Sequence, residues 1–493
     1  MVGVPGRSKG CRTCKRRKKG CDLVQPSCGQ CRKACIPCEG YDKDLTIYRF
    51  YESKQGPELS SAKGNDYTPS RLELSPASRN SISWAQAPSS GTMMDHGTFP
   101  RAPLESAFEG MFWDSYLPNG RCSSLLDEIQ RTLGGSISVV RDLLPHSALL
   151  RTAVGAMALR SAVSMNDNSH SMKQQAIRLH ANALQRTRKM LTTNSKNNLE
   201  LLIATRVFSF YEALYGSDWA DKREHYRSWS VHHSGDLALM VSKPPEFYCT
   251  GVAHRIFVDG RVNLALHALV TRKRSPFVEP RWMNQPWKHH AKTAKDLLVD
   301  IMLEIPSLYE GIDQLESKEH LKSNLRQELQ QTAYFTIIRL NQWHAKFAIS
   351  LEPSRSDWQS PSRSSNDQLS GIHLMTFYWA TLMIACTSYQ RMSNELQLKL
   401  DIDVDDCCRK IIHCIPIFLH PSTGIFRQHL MPFPAMTAIR HLNTTRPPVL
   451  QAERDYLLSV SEMPELAGMR KFMLSLEPQI FGGFGGSDIN SDN

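Results

Sequence analysis

The chain begins without the continuous apolar run that a secretory signal peptide needs. Its first nine residues, MVGVPGRSK, mix apolar residues with glycine, proline and two basic side chains. Intracellular proteins keep their thiols reduced, whereas secreted proteins oxidise theirs to disulfides. We therefore expect an intracellular protein in which a cluster of cysteines binds metal.

Strand signals are scarce as well, because apolar–polar alternation is uncommon and Asn-Gly hairpin turns are few. From Phe108 onward the apolar residues instead recur at helical spacing. Ser147 stands where it can cap a run that begins at Leu149. A later run from Leu297 to Ile305 is expected to stop at Pro306. The pattern predicts a mostly α-helical region.

The longest uncharged stretch, from Leu374 to Gln390, falls slightly short of a membrane span and includes hydroxyl-bearing residues. We interpret it as a buried helix, with a transmembrane helix as the alternative. We accordingly expect no membrane partner.

Nine-tenths of the chain carries little of its excess positive charge. The 493 residues carry a formal net charge of +11, yet residues 1–54 alone hold 13 Lys and Arg against 5 Asp and Glu. Only +3 is left for the remainder. A polyanionic partner should therefore contact the N-terminal segment rather than the whole surface.

Cysteine is concentrated in the same segment, where seven of the 13 cysteines lie. Six of these form a duplicated C-x2-C-x6-C pattern, with Pro26 between the halves: Cys11, Cys14, Cys21, Cys28, Cys31 and Cys38. One half offers three thiolates, too few to close a tetrahedral zinc site. If two sulfurs bridge both metals, six thiolates supply the eight bonds that two tetrahedral zinc ions require. We predict two zinc ions here, whose binding would fold a segment with little apolar core.

This segment resembles the fungal two-zinc, six-cysteine cluster transcription factors. The matching stretches are GCRTCKRRKKGCD at 10–22, PSCGQC at 26–31 and CEGY at 38–41. The resemblance implies that each half is a short helix followed by an extended strand, and that the first helix points its C-terminal end into the DNA major groove. It also implies CGG-containing sites and a nuclear protein that regulates transcription by RNA polymerase II.

Five consecutive basic residues follow the second cysteine: Lys15, Arg16, Arg17, Lys18 and Lys19. The resemblance places Arg17 and Lys18 where the family's base-reading side chains lie, with Lys18 on guanine O6 and N7. Lys15, Arg16 and Lys19 would mainly hold phosphates. The same run also suits nuclear import, which is compatible with DNA contact.

Cys35 departs from the family pattern, because it adds a seventh thiol and a second C-x2-C with Cys38. Cys38 keeps the six-residue spacing, so we interpret Cys35 as a thiol outside the metal site. The alternative is that Cys35 affects the identity of the last ligand.

The chain is predicted to have four segments, of which residues 1–50 are the zinc cluster domain. Residues 51–105, rich in Ser, Pro and Gly, are predicted to be a disordered linker. Residues 106–480 loosely resemble the regulatory domain that often follows this cluster, through stretches such as FYEALYG at 210–216. That resemblance implies an all-α domain that controls activity. Residues 481–493 are predicted to be a disordered tail, and 353–368 a disordered loop.

Two further groups of residues have the chemistry of a binding site but are expected to be structural. His232 and His233 fit metal ligands, although a hydrogen-bonded histidine in or beside a helical core is the commoner case. Cys407, Cys408 and Cys414 are expected to be core thiols of one helix.

We therefore predict a transcription factor and not an enzyme. It would read double-stranded DNA through a zinc-stapled cluster and contact the transcription machinery or co-regulators. One alternative is an enzyme whose zinc module only localises it; another is a zinc protein that binds partners or RNA. A homodimer is a further expectation, with a monomer as the alternative, because residues 45–51 do not form the sustained heptads of a coiled coil.

Overall fold

We describe the protein from a computed structural model. The residues described are 11–22, 28–34, 36, 38, 110, 112, 140, 143–164, 170–193, 198–216, 221–317, 322–351, 366–392, 402–420, 423–424, 431–445, 448–463 and 466–481. The chain divides into two units, residues 1–73 and 74–493, which we call the cysteine unit and the helical unit. The predicted linker lies outside the described residues, as does the predicted tail beyond Phe481.

The cysteine unit contains two five-residue helices, α1 (Arg12–Arg16) and α2 (Gly29–Lys33). A cysteine precedes each helix, and its sulfur accepts a backbone hydrogen bond where Ser or Asp caps other helices. The N–H of Cys14 donates to Cys11 Sγ, and the N–H of Cys31 donates to Cys28 Sγ, both at 3.3 Å. Helices of one turn are not stable alone in water, so the contacts around the sulfurs hold them.

The helical unit is built from longer helices, and no β-strand occurs in the described residues. The predicted all-α architecture is confirmed for them. The helices are α3 (Ala148–Ser164), α4 (His170–Thr192), α5 (Asn198–Tyr215), α6 (Lys222–Val241), α7 (Gly251–Thr271), α8 (Pro280–Asn284), α9 (Ala294–Met302), α10 (Ile305–Ser317), α11 (Lys322–Leu351), α12 (Asn366–Met392), α13 (Val404–Leu419), α14 (Pro432–Thr444), α15 (Gln451–Ser461) and α16 (Ala467–Phe481).

Several helix boundaries test the sequence prediction. Ser147 caps α3 as predicted, because its Oγ accepts the N–H of Leu150 at 2.9 Å. The predicted stop at Pro306 is wrong: α9 ends at Met302, and Pro306 lies in the first turn of α10. Proline is well tolerated there, since the first N–H groups of a helix have no partner within the helix. Residues 366–368, predicted to be loop, begin α12.

Helix α12 lies in the core of the helical unit. Its segment Leu369–Met392 is long and apolar enough to cross a membrane, with a mean hydropathy of 1.4, but its apolar window is entirely buried inside the protein. It packs against α11 and α13. The predicted buried helix is confirmed. Cys407, Cys408 and Cys414 are likewise buried on α13, as expected.

A buried ion pair joins α5 to α6. Arg206 Nε donates to Asp236 Oδ2 at 3.0 Å, and Arg206 Nη1 donates to the carbonyl of Ile256 on α7 at 2.6 Å. A Cβ at Gly260 would lie 2.0 Å from Arg206 Nη2, so glycine leaves the space that the guanidinium occupies. Because each buried charge needs its partner, the pair fixes the relative position of three helices.

Candidate metal centre and nucleic-acid interface

The sulfurs of the cysteine unit are gathered between α1 and α2. Cys28 Sγ lies 3.6 Å from the sulfurs of both Cys11 and Cys14, and Cys31 Sγ lies 3.8 and 4.0 Å from the same two atoms. A disulfide needs about 2.05 Å, and the described cysteines are free thiols. Four sulfurs around one zinc ion lie about 3.8 Å apart, given a Zn–S distance of about 2.3 Å. The observed spacing is therefore that of a metal site.

The six sulfurs fall into two overlapping groups of four, and within each group the sulfurs lie within 4.8 Å of one another. Cys11 and Cys28 belong to both groups. The first group adds Cys14 and Cys21, and the second adds Cys31 and Cys38. Two tetrahedra that share two corners need six ligands, the number that the duplicated pattern supplies. The donor set fits zinc, which favours four thiolates.

The protonation of these thiols depends on what fills the site. Burial is the main cause that raises the pKa of Cys11, Cys14 and Cys31, that of Cys31 to about 12. By themselves the three thiols would therefore be neutral at pH 7, whereas the thiolate is the form that binds metal. A divalent cation supplies the missing charge compensation, because coordination displaces the thiol proton.

The basic run lies at the end of α1. The N–H of Lys19 donates to the carbonyl of Cys14 at 3.0 Å, the hydrogen bond that closes many helix C-termini. Lys18 lies within the turn that this hydrogen bond closes. Its φ is 52°, in the left-handed region that lysine rarely adopts. The chain therefore leaves α1 at Lys18.

The side chains of Arg16, Arg17, Lys18 and Lys19 are exposed. Lys15 belongs to α1, but its side chain lies outside the described residues. Basic side chains near a helix C-terminus are favoured by the partial negative charge of the free carbonyls. At least four exposed cations thus lie at this end of the helix.

The second half of the unit repeats the first at an offset of 17 residues. The N–H of Ile36 donates to the carbonyl of Cys31 at 3.1 Å, as Lys19 does to Cys14. By the same offset the exposed Arg32 and Lys33 correspond to Lys15 and Arg16. The sequence prediction did not include this second basic pair, although the duplicated spacing points to it. Cys35 corresponds to Lys18 but lies outside the described residues, so its role stays a prediction.

Asp22 connects the two halves. Its two carboxylate oxygens accept the N–H of Gly29, the first residue of α2, at 3.0 and 2.9 Å. A Cβ at Gly29 would lie 2.2 Å from Asp22 Oδ2, so glycine permits this close approach. A carboxylate is favoured at a helix N-terminus. Sequence reasoning missed this contact, whose one signal was an acidic residue directly after the third cysteine.

Comparison with known proteins points to the same segment. The 43 N-terminal residues matched are 52% identical to Arginine metabolism regulation protein II of Saccharomyces cerevisiae. The match covers 8% of this chain and 5% of that protein, so the chain spans only a small part of its relative's length. No protein-family profile matches the chain, and no solved structure matches it significantly.

In the helical unit, the position of His233 tests its prediction. It is buried, as expected, and its ring lies 4.5 Å from that of Trp229 and 5.5 Å from that of His267. The predicted core position is therefore confirmed, but Nδ1 has no hydrogen bond within the described part of the chain.

Proposed function

We propose that the chain is a zinc-dependent regulator of transcription that acts in the nucleus and binds double-stranded DNA through its cysteine unit. One observation carries the proposal: two four-sulfur groups that share Cys11 and Cys28 lie directly beside a run of exposed basic residues. The similarity of this segment to a protein named as a metabolic regulator supports it. We do not propose an enzyme.

In this proposal the six cysteines would hold two zinc ions, and Cys11 and Cys28, which belong to both sulfur groups, would serve both ions. Zinc is structural here, because it fixes α1 against α2 in a unit whose described buried apolar side chains are cysteines. Six thiolates and two divalent cations leave a net charge of −2. The adjacent Lys and Arg side chains offset this charge and keep the face attractive to phosphates.

The C-terminal end of α1 enters the major groove of DNA. Lys18 contacts guanine O6 and N7 and Arg17 assists it, so the preferred sites contain CGG. Lys15, Arg16 and Lys19 neutralise phosphates and set the register. The left-handed backbone at Lys18 supports its role, because it fixes the point from which this side chain leaves the helix.

The helical unit serves as the regulatory part, which contacts co-regulators or the transcription machinery and pairs the chains as a homodimer. Its all-α fold and its buried ion pairs support a rigid platform for such contacts. Analytical ultracentrifugation of the full chain tests the pairing. We expect a dimer; a monomer at micromolar concentration would contradict this part.

Selection of bound sites from random duplex DNA by the full chain with zinc tests the proposed function. We expect CGG-containing sites, loss of binding when zinc is chelated, and a relaxed preference in Lys18→Ala. Lys222→Ala is the matched control, because it removes one exposed charge from α6 and should leave the selected sites unchanged. Enrichment of no sequence, or equal competition by single-stranded RNA, would contradict the proposal.

A further inference from the structure

The helical unit contains a cavity of about 130 Å³ that nothing in the proposed function uses. Helices α5, α6, α7, α10, α12, α14 and α16 all contribute to its wall, which is mainly apolar and rich in rings such as Trp229, Phe377, Phe433 and Phe472. A cavity of about 150 Å³ with an apolar wall holds one benzene molecule. The space therefore suits a molecule with a single ring.

Three side chains in this wall carry polar atoms that have no hydrogen-bond partner within the described part of the chain. Among the described residues, no partner exists for Nδ1 and Nε2 of His373, for Nδ1 of His233 or for Nδ2 of Asn263. The three residues are only 1%, 4% and 8% exposed. Leaving a buried polar group unpaired costs about 1–3 kcal/mol, so three of them around one cavity favour a bound partner with polar atoms.

The protonation of the two histidines defines that partner. Burial lowers the pKa of His373 to about 3 and that of His233 well below its usual value, so both imidazoles are neutral at pH 7. A neutral imidazole has one N–H donor and one acceptor nitrogen, and the amide nitrogen of Asn263 is a donor. A hydroxyl group can pair with either nitrogen of His373, because it can donate to the bare nitrogen or accept from the N–H.

The side chains of the cavity wall offer no partner for a cationic ligand. Among the residues that line the cavity, Arg440 carries the one formal charge at pH 7, and its Nη1 donates to Tyr309 Oη at 3.4 Å. No carboxylate lines the wall to balance a cation. An uncharged ligand is therefore favoured over a cationic one.

We propose that this cavity is a binding site for a small, uncharged aromatic molecule that carries a hydroxyl group. The hydroxyl forms a hydrogen bond with one ring nitrogen of His373, and the ring packs against Phe377 and Phe433. These rings are adjacent, with centroids 4.7 Å apart for His373 and Phe377 and 5.0 Å apart for Phe377 and Phe433. Asn263 and His233 provide hydrogen bonds for a second polar substituent.

Occupation of the cavity would tie several helices together. His373 lies on α12, Phe433 on α14, Asn263 on α7 and His233 on α6, so one molecule would contact four helices that are far apart in sequence. A ligand that binds only the folded state stabilises it, and the effect grows with ligand concentration. A small molecule could thus set the stability of this unit without touching DNA.

Calorimetric titration of the full chain with phenol, and in parallel with benzene, tests the proposal. We expect saturable binding of one phenol per chain and weaker binding of benzene. His373→Phe keeps the ring but removes both nitrogens, and should lower phenol affinity about tenfold while leaving benzene affinity nearly unchanged. The matched control His289→Phe, at an exposed position, should change neither affinity.

Failure to bind phenol saturably, or equal phenol affinity in wild type and His373→Phe, overturns the proposal and indicates that these polar atoms are hydrated instead. If His373→Phe does not fold by circular dichroism, Leu266→Trp serves, because it fills the cavity from α7. It should abolish binding of both probes, and retained binding would place the site elsewhere. DNA binding measured on the same samples should not change, so this proposal and the proposed function can fail separately.

Discussion

Among the described residues, the buried apolar side chains of the cysteine unit are Cys11, Cys14, Cys28 and Cys31, whereas the helical unit buries leucines, aromatic rings and paired charges. In the first unit two one-turn helices are capped by the same sulfurs that gather between them. In the second, helices of up to 30 residues bury a continuous apolar core. We therefore expect the first to depend on a metal for its fold, and the second to depend on burial of apolar area.

The largest difference should appear when a shared sulfur is removed. Cys28→Ser should release both zinc ions and unfold the cysteine unit, since structural zinc contributes about 10–16 kcal/mol in small zinc domains. The melting of the helical unit should stay unchanged. Native mass spectrometry and circular dichroism measure the two effects. Cys35→Ser is the control and should keep both ions; zinc loss there would assign Cys35 as a ligand.

A substitution in the buried ion pair should destabilise the helical unit and leave the cysteine unit unaffected. Asp236→Ala leaves Arg206 charged and buried without its carboxylate, and should destabilise this unit by about 3–5 kcal/mol. Urea unfolding followed by helical circular dichroism measures it, and zinc content should not change. Glu224→Ala, which removes an exposed partner of Arg227, should have an effect of less than about 1 kcal/mol. Equal effects of the two variants would refute the role of the buried pair.

Mild acid should weaken the helical unit through its buried histidines. Burial lowers the pKa of His267 to about 4 and that of His373 to about 3, below the value of about 6.5 in an unfolded chain. The unfolded state then binds more protons, so each histidine lowers the stability by up to about 1.4 kcal/mol per pH unit as pH falls from 6.5. Urea unfolding between pH 7 and 5 measures the slope. His373→Phe should make it shallower; an unchanged slope would contradict the neutral histidine.

Lys18 combines a left-handed backbone conformation with the proposed contact to a DNA base. Lys18→Ala should weaken binding to the preferred site by about 1–3 kcal/mol and leave binding to unrelated DNA nearly unchanged. Lys18→Gly should lose the same specificity but relieve the left-handed strain, since glycine adopts a positive φ readily. Fluorescence anisotropy on both DNA types measures these effects. Equal losses on all sequences would reassign Lys18 to phosphate contact.

The smallest effects concern the phosphate contacts. Arg16→Ala and Lys15→Ala should weaken binding to all sequences and reduce the slope of log K against log salt by about one each, because each phosphate contact releases counterions. Anisotropy titrations at several salt concentrations provide the slope. With Lys222→Ala the slope should stay as in wild type. An unchanged slope in Arg16→Ala would exclude Arg16 from the interface.

The cysteine unit was largely predictable because its information is local. The cysteine spacing predicted which sulfurs come together, and the structure gathers those six. What the sequence pattern did not show is which two sulfurs belong to both four-sulfur groups, since that depends on the packing of α1 against α2. It also did not show the left-handed turn at Lys18, because no glycine or asparagine marks it.

The helical unit was predictable in class but not in its contacts. Apolar periodicity predicted helices, and Ser147 marked the start of α3 correctly. The buried pair Arg206–Asp236 and the cavity residues Asn263 and His373 gave no signal, because each depends on helices distant in sequence. Pro306 misled the prediction, since the same residue that ends one helix can begin the next.

Zinc X-ray absorption of the Cys35→Ser chain, combined with zinc counting, tests the shared-sulfur cluster most directly. We predict two zinc ions per chain, each surrounded by four sulfurs at about 2.3 Å, with the second zinc in the next shell. Six cysteines can give two ions four sulfurs each only if two sulfurs are shared. An average of three sulfurs per zinc, or a single zinc per chain, would contradict the account.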